Sequence, residues 1–146
     1  MKKFIGFISL IAATFVAIIL ASCQMSYSAS SIKSSLENSG YTVSEQSDLV
    51  FEDDNGQEFK ASKLTGIQKI YTAVKGSEDD MEFSIILVFD SIGKSDAGIN
   101  DSRLVTIGQA AEKRIGENKI STFTIGRFNN VCFAGTSTCK EAAGLR

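Results

Sequence analysis

Residues 81–89 place Met81, Phe83, Ile85, Leu87 and Phe89 on one side of an extended chain and Glu82, Ser84, Ile86 and Val88 on the other. Apolar side chains at every second position, with β-branched and aromatic residues dominating, suit a pleated strand and not the 3.6-residue period of a helix. A strand this apolar has to be covered, so whatever surrounds it forms the core. The amphipathic run 67–75 lies just upstream. The short polar segment 76–80 between them predicts a hairpin, with the two strands antiparallel neighbours.

The rest of the pattern builds outward from that hairpin. A first helix is expected over residues 30–39, with Ile32 and Leu36 one turn apart on its buried side and Gly40 supplying the stop. A strand begins at Tyr41. Residues 49–51 and 58–61 are expected to pair across the turn at Asp53, Asp54, Asn55 and Gly56. Downstream of the central strand, a long helix is expected from Ser95 to a close at Gly116, with Ala97, Leu104, Ile107, Ala111 and Ile115 on its apolar stripe. Strands over 120–126 and 130–134 follow, turning through residues 127–129, and a last short helix starts at Thr136. This order predicts an α+β fold, an antiparallel sheet with two or three helices on one face, for which a ferredoxin-like arrangement is the nearest common template.

The N-terminus carries a different signal. Lys2 and Lys3 precede an apolar run over residues 4–20, and the run ends at Leu20, Ala21, Ser22 and Cys23. A basic start, an apolar stretch and a small-residue boundary are the parts of a secretion signal. The string resembles the lipobox of bacterial lipoprotein precursors. That resemblance implies a diacylglyceryl group on the Cys23 thiol, cleavage before Cys23, palmitate labelling, and a cell-membrane location on the extracytoplasmic face. It divides the chain into a signal peptide over 1–22, a lipidated cysteine and tether over 23–29, and one α+β domain over 30–146. An uncleaved anchor and ordinary signal cleavage are the alternatives, the seventeen-residue run, weakened by Ser9 and Thr14, lying at the short end of the spanning range. All three readings export the domain. The soluble part also resembles small uncharacterised lipoproteins of Gram-positive or wall-less bacteria, through Gly40-Tyr41 after a helix, Phe89-Asp90-Ser91 at a strand end, and the run from Asn130 through Thr136. That likeness implies no activity.

Removing Lys2 and Lys3 leaves 13 basic against 17 acidic residues and moves the net charge from −2 to −4. A mildly acidic surface offers no clustered cations for nucleic acid. The acidic groups Glu52, Asp53, Asp54 and Glu78, Asp79, Asp80 read as solvated turns. An EF-hand register on Asn55 and Gly56 would need acidic residues where Phe51 and Ser62 stand. There is no histidine, which removes histidine-assisted nucleophiles, histidine bases and histidine-ligated zinc. Gly93-Lys94-Ser95 imitates the end of a phosphate-binding loop, but Val88 occupies the position of its first glycine. Asp90 and Asp96 could form a carboxylate pair or cation site; helix capping by Ser95 or Asp96, with Asp90 a solvated strand end, accounts for them more simply. No catalytic residue, metal ligand or cofactor site is assigned.

Cys132 and Cys139 remain once Cys23 is given to lipid. Three readings stay open: a disulfide, suggested by the even count in an exported domain; two buried free thiols; and a redox role with Cys139 activated at its helix start. The sequence therefore points to a lipid-anchored, non-enzymatic module that engages another envelope component, a membrane and a protein being its expected partners. A small envelope enzyme or thiol-redox accessory using Cys132 and Cys139 is the alternative.

Overall fold

The computed structural model describes residues 26–146; Cys23 and the expected signal peptide over 1–22 lie outside them. The centre is a five-stranded antiparallel sheet built from β1 (Thr42–Glu45), β4 (Ile67–Lys75), β5 (Glu82–Phe89), β6 (Phe123–Phe128) and β7 (Val131–Thr136), in the order β1-β4-β5-β7-β6. The predicted central hairpin is present, with Ile70 opposite Leu87 and Thr72 opposite Ile85. The short strands β2 (Val50–Glu52) and β3 (Glu58–Lys60) pair as a separate hairpin across the expected acidic turn. There the Asp53 carboxylate accepts from the backbone of Asn55 and Gln57, as a solvated turn residue does.

The α+β class and the antiparallel sheet agree with the pattern reading. The helices, however, divide between both faces of the sheet and do not gather on one. Helix α1 (Ala29–Asn38) and helix α4 (Ser137–Ala142) cover one face, where Ile32, Leu36, Tyr41, Tyr71, Ile86, Val88, Phe133 and Cys139 form a core. Helices α2 (Ile92–Gly98) and α3 (Asp101–Glu112), with the β2–β3 hairpin, cover the other, where Phe83, Ile85, Leu87, Phe89, Ile107 and Cys132 pack. The reason lies in β5 itself, all eight residues of which are buried. Its second face carries Ile86 and Val88, and leaving those in water would forfeit about 1.5–3 kcal/mol each.

Strands β5 and β6 run parallel on either side of β7, and α2 and α3 connect them, so this half is a split β-α-β unit. A ferredoxin-like sheet contains the same unit but keeps its helices on one face, and the present fold departs from it there.

Local chemistry explains most element ends. The Ser28 hydroxyl caps α1, and Gly40, at φ +90°, closes it with Tyr41 N donating to Leu36 O and Gly40 N to Glu37 O. The single long helix expected from Ser95 is instead two. Ser91 caps α2, and Asn100 caps α3 by accepting from Arg103 N at 2.8 Å. Between them Ile99 is extended and buried, and Ala97, expected on the apolar stripe, is exposed. The carbonyls freed at the break are taken by two arginines, Arg103 on Gly98 O at 2.9 Å and Arg127 on Ile99 O. Strand β6 starts later than expected because residues Glu117–Thr122 form 3-10 turns. The β6–β7 reversal falls on Asn129 and Asn130, where Asn129 takes φ +53°, a left-handed conformation that asparagine tolerates.

Candidate functional site

A cleft of about 530 Å³ opens where the N-terminal segment meets the ends of β4 and β5. Its walls come from four places in the chain. Tyr27 and Ser28 lead into α1, Gln68 and Lys69 lie on β4 with Tyr71, Asp90 follows β5, and Asn130 occupies the β6–β7 turn.

Asn130 holds this corner together. It is 2% exposed and its amide makes three hydrogen bonds. Oδ1 accepts from Tyr27 N at 2.6 Å, while Nδ2 donates to Tyr27 O at 3.0 Å and to Phe89 O at 2.9 Å. One side chain thus pairs with the backbone of Tyr27 as a neighbouring strand would. The far end of Tyr27 is held as well, its hydroxyl accepting from Arg146 N at 3.0 Å. Tyr27 to Ala29, expected from the sequence in a tether over 23–29, belong to the folded domain.

Gln68 reaches the cleft through an irregularity. Ile67 faces Phe89 and Lys69 faces Val88, so Gln68 is the extra residue of a β-bulge, a device that re-aims a side chain at the edge of a ladder. Tyr71 is 3% exposed, and its hydroxyl makes no hydrogen bond among the described residues. Burial, followed by the nearby Glu45 carboxylate, pushes its pKa up, so it is a neutral donor and acceptor at physiological pH. Two formal charges lie in the walls, and each is already matched. Lys69 sits 2.6 Å from Glu45, whose carboxylate holds the ammonium charged, and Asp90 sits 3.5 Å from Lys94.

The residues singled out from the sequence lie elsewhere or play other parts. Gly93, Lys94 and Ser95 sit in the first turns of α2 and do not form a phosphate loop. The cap of α2 is Ser91, not Ser95 or Asp96; Ser95 is buried with its hydroxyl unpaired, and Asp96 is exposed. Asp90 is taken by Lys94. Among the described residues no cluster of three acidic or thiol side chains could hold a metal ion.

Cys132 and Cys139 are free thiols buried in the two different cores, with the sheet between them, so the bridge is not formed. Burial pushes the pKa of each up to about 12, partly opposed by Arg127 at Cys132 and by the Ser84 hydroxyl at Cys139. The activated Cys139 envisaged for a redox role is therefore overturned: desolvation outweighs anything its short helix contributes. Beside it Glu82, 7% exposed, is satisfied by two hydroxyls, Tyr41 Oη at 3.0 Å and Thr136 Oγ1 at 3.1 Å. We expect alkylating reagents to leave both cysteines unmodified in the native protein at mildly alkaline pH and to modify both in denaturant; mass mapping would read this. Rapid native labelling of either would contradict their burial.

The cleft was not legible beforehand. Its walls join positions about 40 and 100 residues apart, as the Phe89–Asn130 and Tyr27–Asn130 bonds do, and the one local hint was the Asn129-Asn130 pair at a turn. Comparison of the chain with protein-family models, with curated proteins and with solved structures returns no match.

Proposed function

We propose that the protein is a lipid-anchored module on the extracytoplasmic face of a bacterial cell membrane, which binds another envelope component and uses the cleft beside its anchor to do so. The observation supporting this reading is the spacing between the lipobox-like cysteine and the clasp. Four residue steps separate Cys23 from Tyr27, and four extended residues span at most about 14 Å. Since Asn130 fixes Tyr27, acylation of Cys23 would bring the cleft to the level of the lipid headgroups. Among the described residues no helix is long and apolar enough to cross a membrane, so membrane attachment in this reading depends on residues before Ser26. The thiol-redox alternative is not favoured, because exchange needs two thiols that can meet and a reachable thiolate.

Replacing Cys23 with alanine in the producing cell is the test. The variant should take up no labelled fatty acid and should accumulate as an unprocessed precursor, because the thiol is the acylation point. Labelling that persists in Cys23→Ala would refute the lipoprotein reading.

A further inference from the structure

We infer that the cleft at the Tyr27–Asn130 clasp binds an uncharged sugar, as a mono- or disaccharide unit. This deepens the proposed function and rests on it for the location, while the chemistry comes from the walls.

The volume lies in the range of small-ligand sites. Each of the two charges in the walls already has an ion-pair partner, Lys69 in Glu45 and Asp90 in Lys94, so neither stands as an unpaired ionic anchor. What remains unspent is neutral and directional. The Gln68 amide offers a planar donor and acceptor pair, re-aimed by the bulge, and the Tyr71 hydroxyl, on a residue almost wholly buried, offers one more of each. Tyr71 lines the cleft and its hydroxyl has no hydrogen bond among the described residues, so it is available to pair with a ligand hydroxyl. Tyr27, which is only partly buried, adds aromatic surface that suits the C–H face of a sugar ring while the amide and phenol pair with its hydroxyls. Two sources would present that chemistry at this height: the sugar headgroup of a glycolipid or a glycan of the surrounding envelope.

The chain has three tyrosines and no tryptophan, and two of the three line the cleft, so intrinsic tyrosine fluorescence reports on it directly. Full-length protein in a polyoxyethylene detergent free of sugar would be titrated with maltose, with diacetylchitobiose and with phosphocholine. In a second arm it would meet phosphatidylglycerol vesicles with and without diglucosyl-diacylglycerol. A saturable change with at least one sugar probe and none with phosphocholine is expected. Gln68→Ala, an exposed substitution, should weaken it about tenfold, the loss of one good hydrogen bond, and Tyr71→Phe severalfold. Binding of a soluble disaccharide assigns the ligand to a glycan; binding only to glycolipid vesicles assigns it to a headgroup. No saturable change with any sugar probe, a response equal with and without glycolipid, or an unweakened Gln68→Ala variant would overturn the inference. Fatty-acid labelling at Cys23 is read separately, so a failure of sugar binding and a failure of anchoring remain distinct results.

Discussion

Leu87→Asp is expected to leave the domain unfolded at room temperature. Leu87 is fully buried in the middle of β5, between Ile70 of β4 and Cys132 of β7, and its side chain lies in the core under α3. Truncating a leucine at such a site costs about 2–5 kcal/mol, and a carboxylate placed there without a partner adds several more or is forced to take a proton. The sum, roughly 5–9 kcal/mol, meets or exceeds the lower part of the stability range of a small domain, about 5–15 kcal/mol. Circular dichroism melting would show it, with Leu87→Ala as the graded comparison that weakens the domain yet keeps it folded. A Leu87→Asp variant melting like the parent would mean that this face of β5 is not the core.

Gly135→Ala should cost about 3 kcal/mol, at the upper end of ordinary overpacking, and lower the melting temperature by roughly 10 °C. A Cβ at position 135 would stand 1.9 Å from Ser84 Oγ, 2.4 Å from Ser84 Cβ and 2.6 Å from Ser84 Cα, Ser84 being its cross-strand partner in β5. A side-chain rotation could remove the first overlap but not the last, which is with backbone, so β5 and β7 have to move apart. The double variant Gly135→Ala with Ser84→Gly should therefore recover only part of the loss. Full recovery, or no loss in the single variant, would show that β5 and β7 are not closely fitted at this pair.

What could be read from the sequence followed the range of the forces involved. The β4–β5 hairpin, the α1 stop at Gly40 and the β2–β3 turn depend on neighbours a few residues apart, and each was found within a residue or so of its place. The long helix was misread because its apolar stripe runs on through Ile99, where the buried side chain and the Asn100 cap favour a break that periodicity does not register. The two-faced sheet was implicit in Ile86 and Val88, which are as apolar as the residues facing the other way. The local pattern places Cys132 on a strand and Cys139 at the start of a helix, as observed, but leaves their bonding state open, and the face each occupies depends on which helices cover which side. The cleft depends on Asn130 meeting Tyr27 across 103 positions, and nothing local encodes that.

The complete burial of β5 also bears on the chain before it folds. Phe83 through Phe89 is a seven-residue run with no charge, no proline and no glycine, the composition that stacks readily into cross-β aggregates. In the native sheet β4 and β7 occupy both of its edges, yet β7 is made more than forty residues later. Until then the exposed edge is shielded mainly by the carboxylates of Glu82 and Asp90 at its two ends, where like charges on neighbouring chains repel and disfavour in-register stacking. Glu82 thus serves twice: once as a charge that keeps nascent chains apart, and again, after folding, as the acceptor for Tyr41 and Thr136.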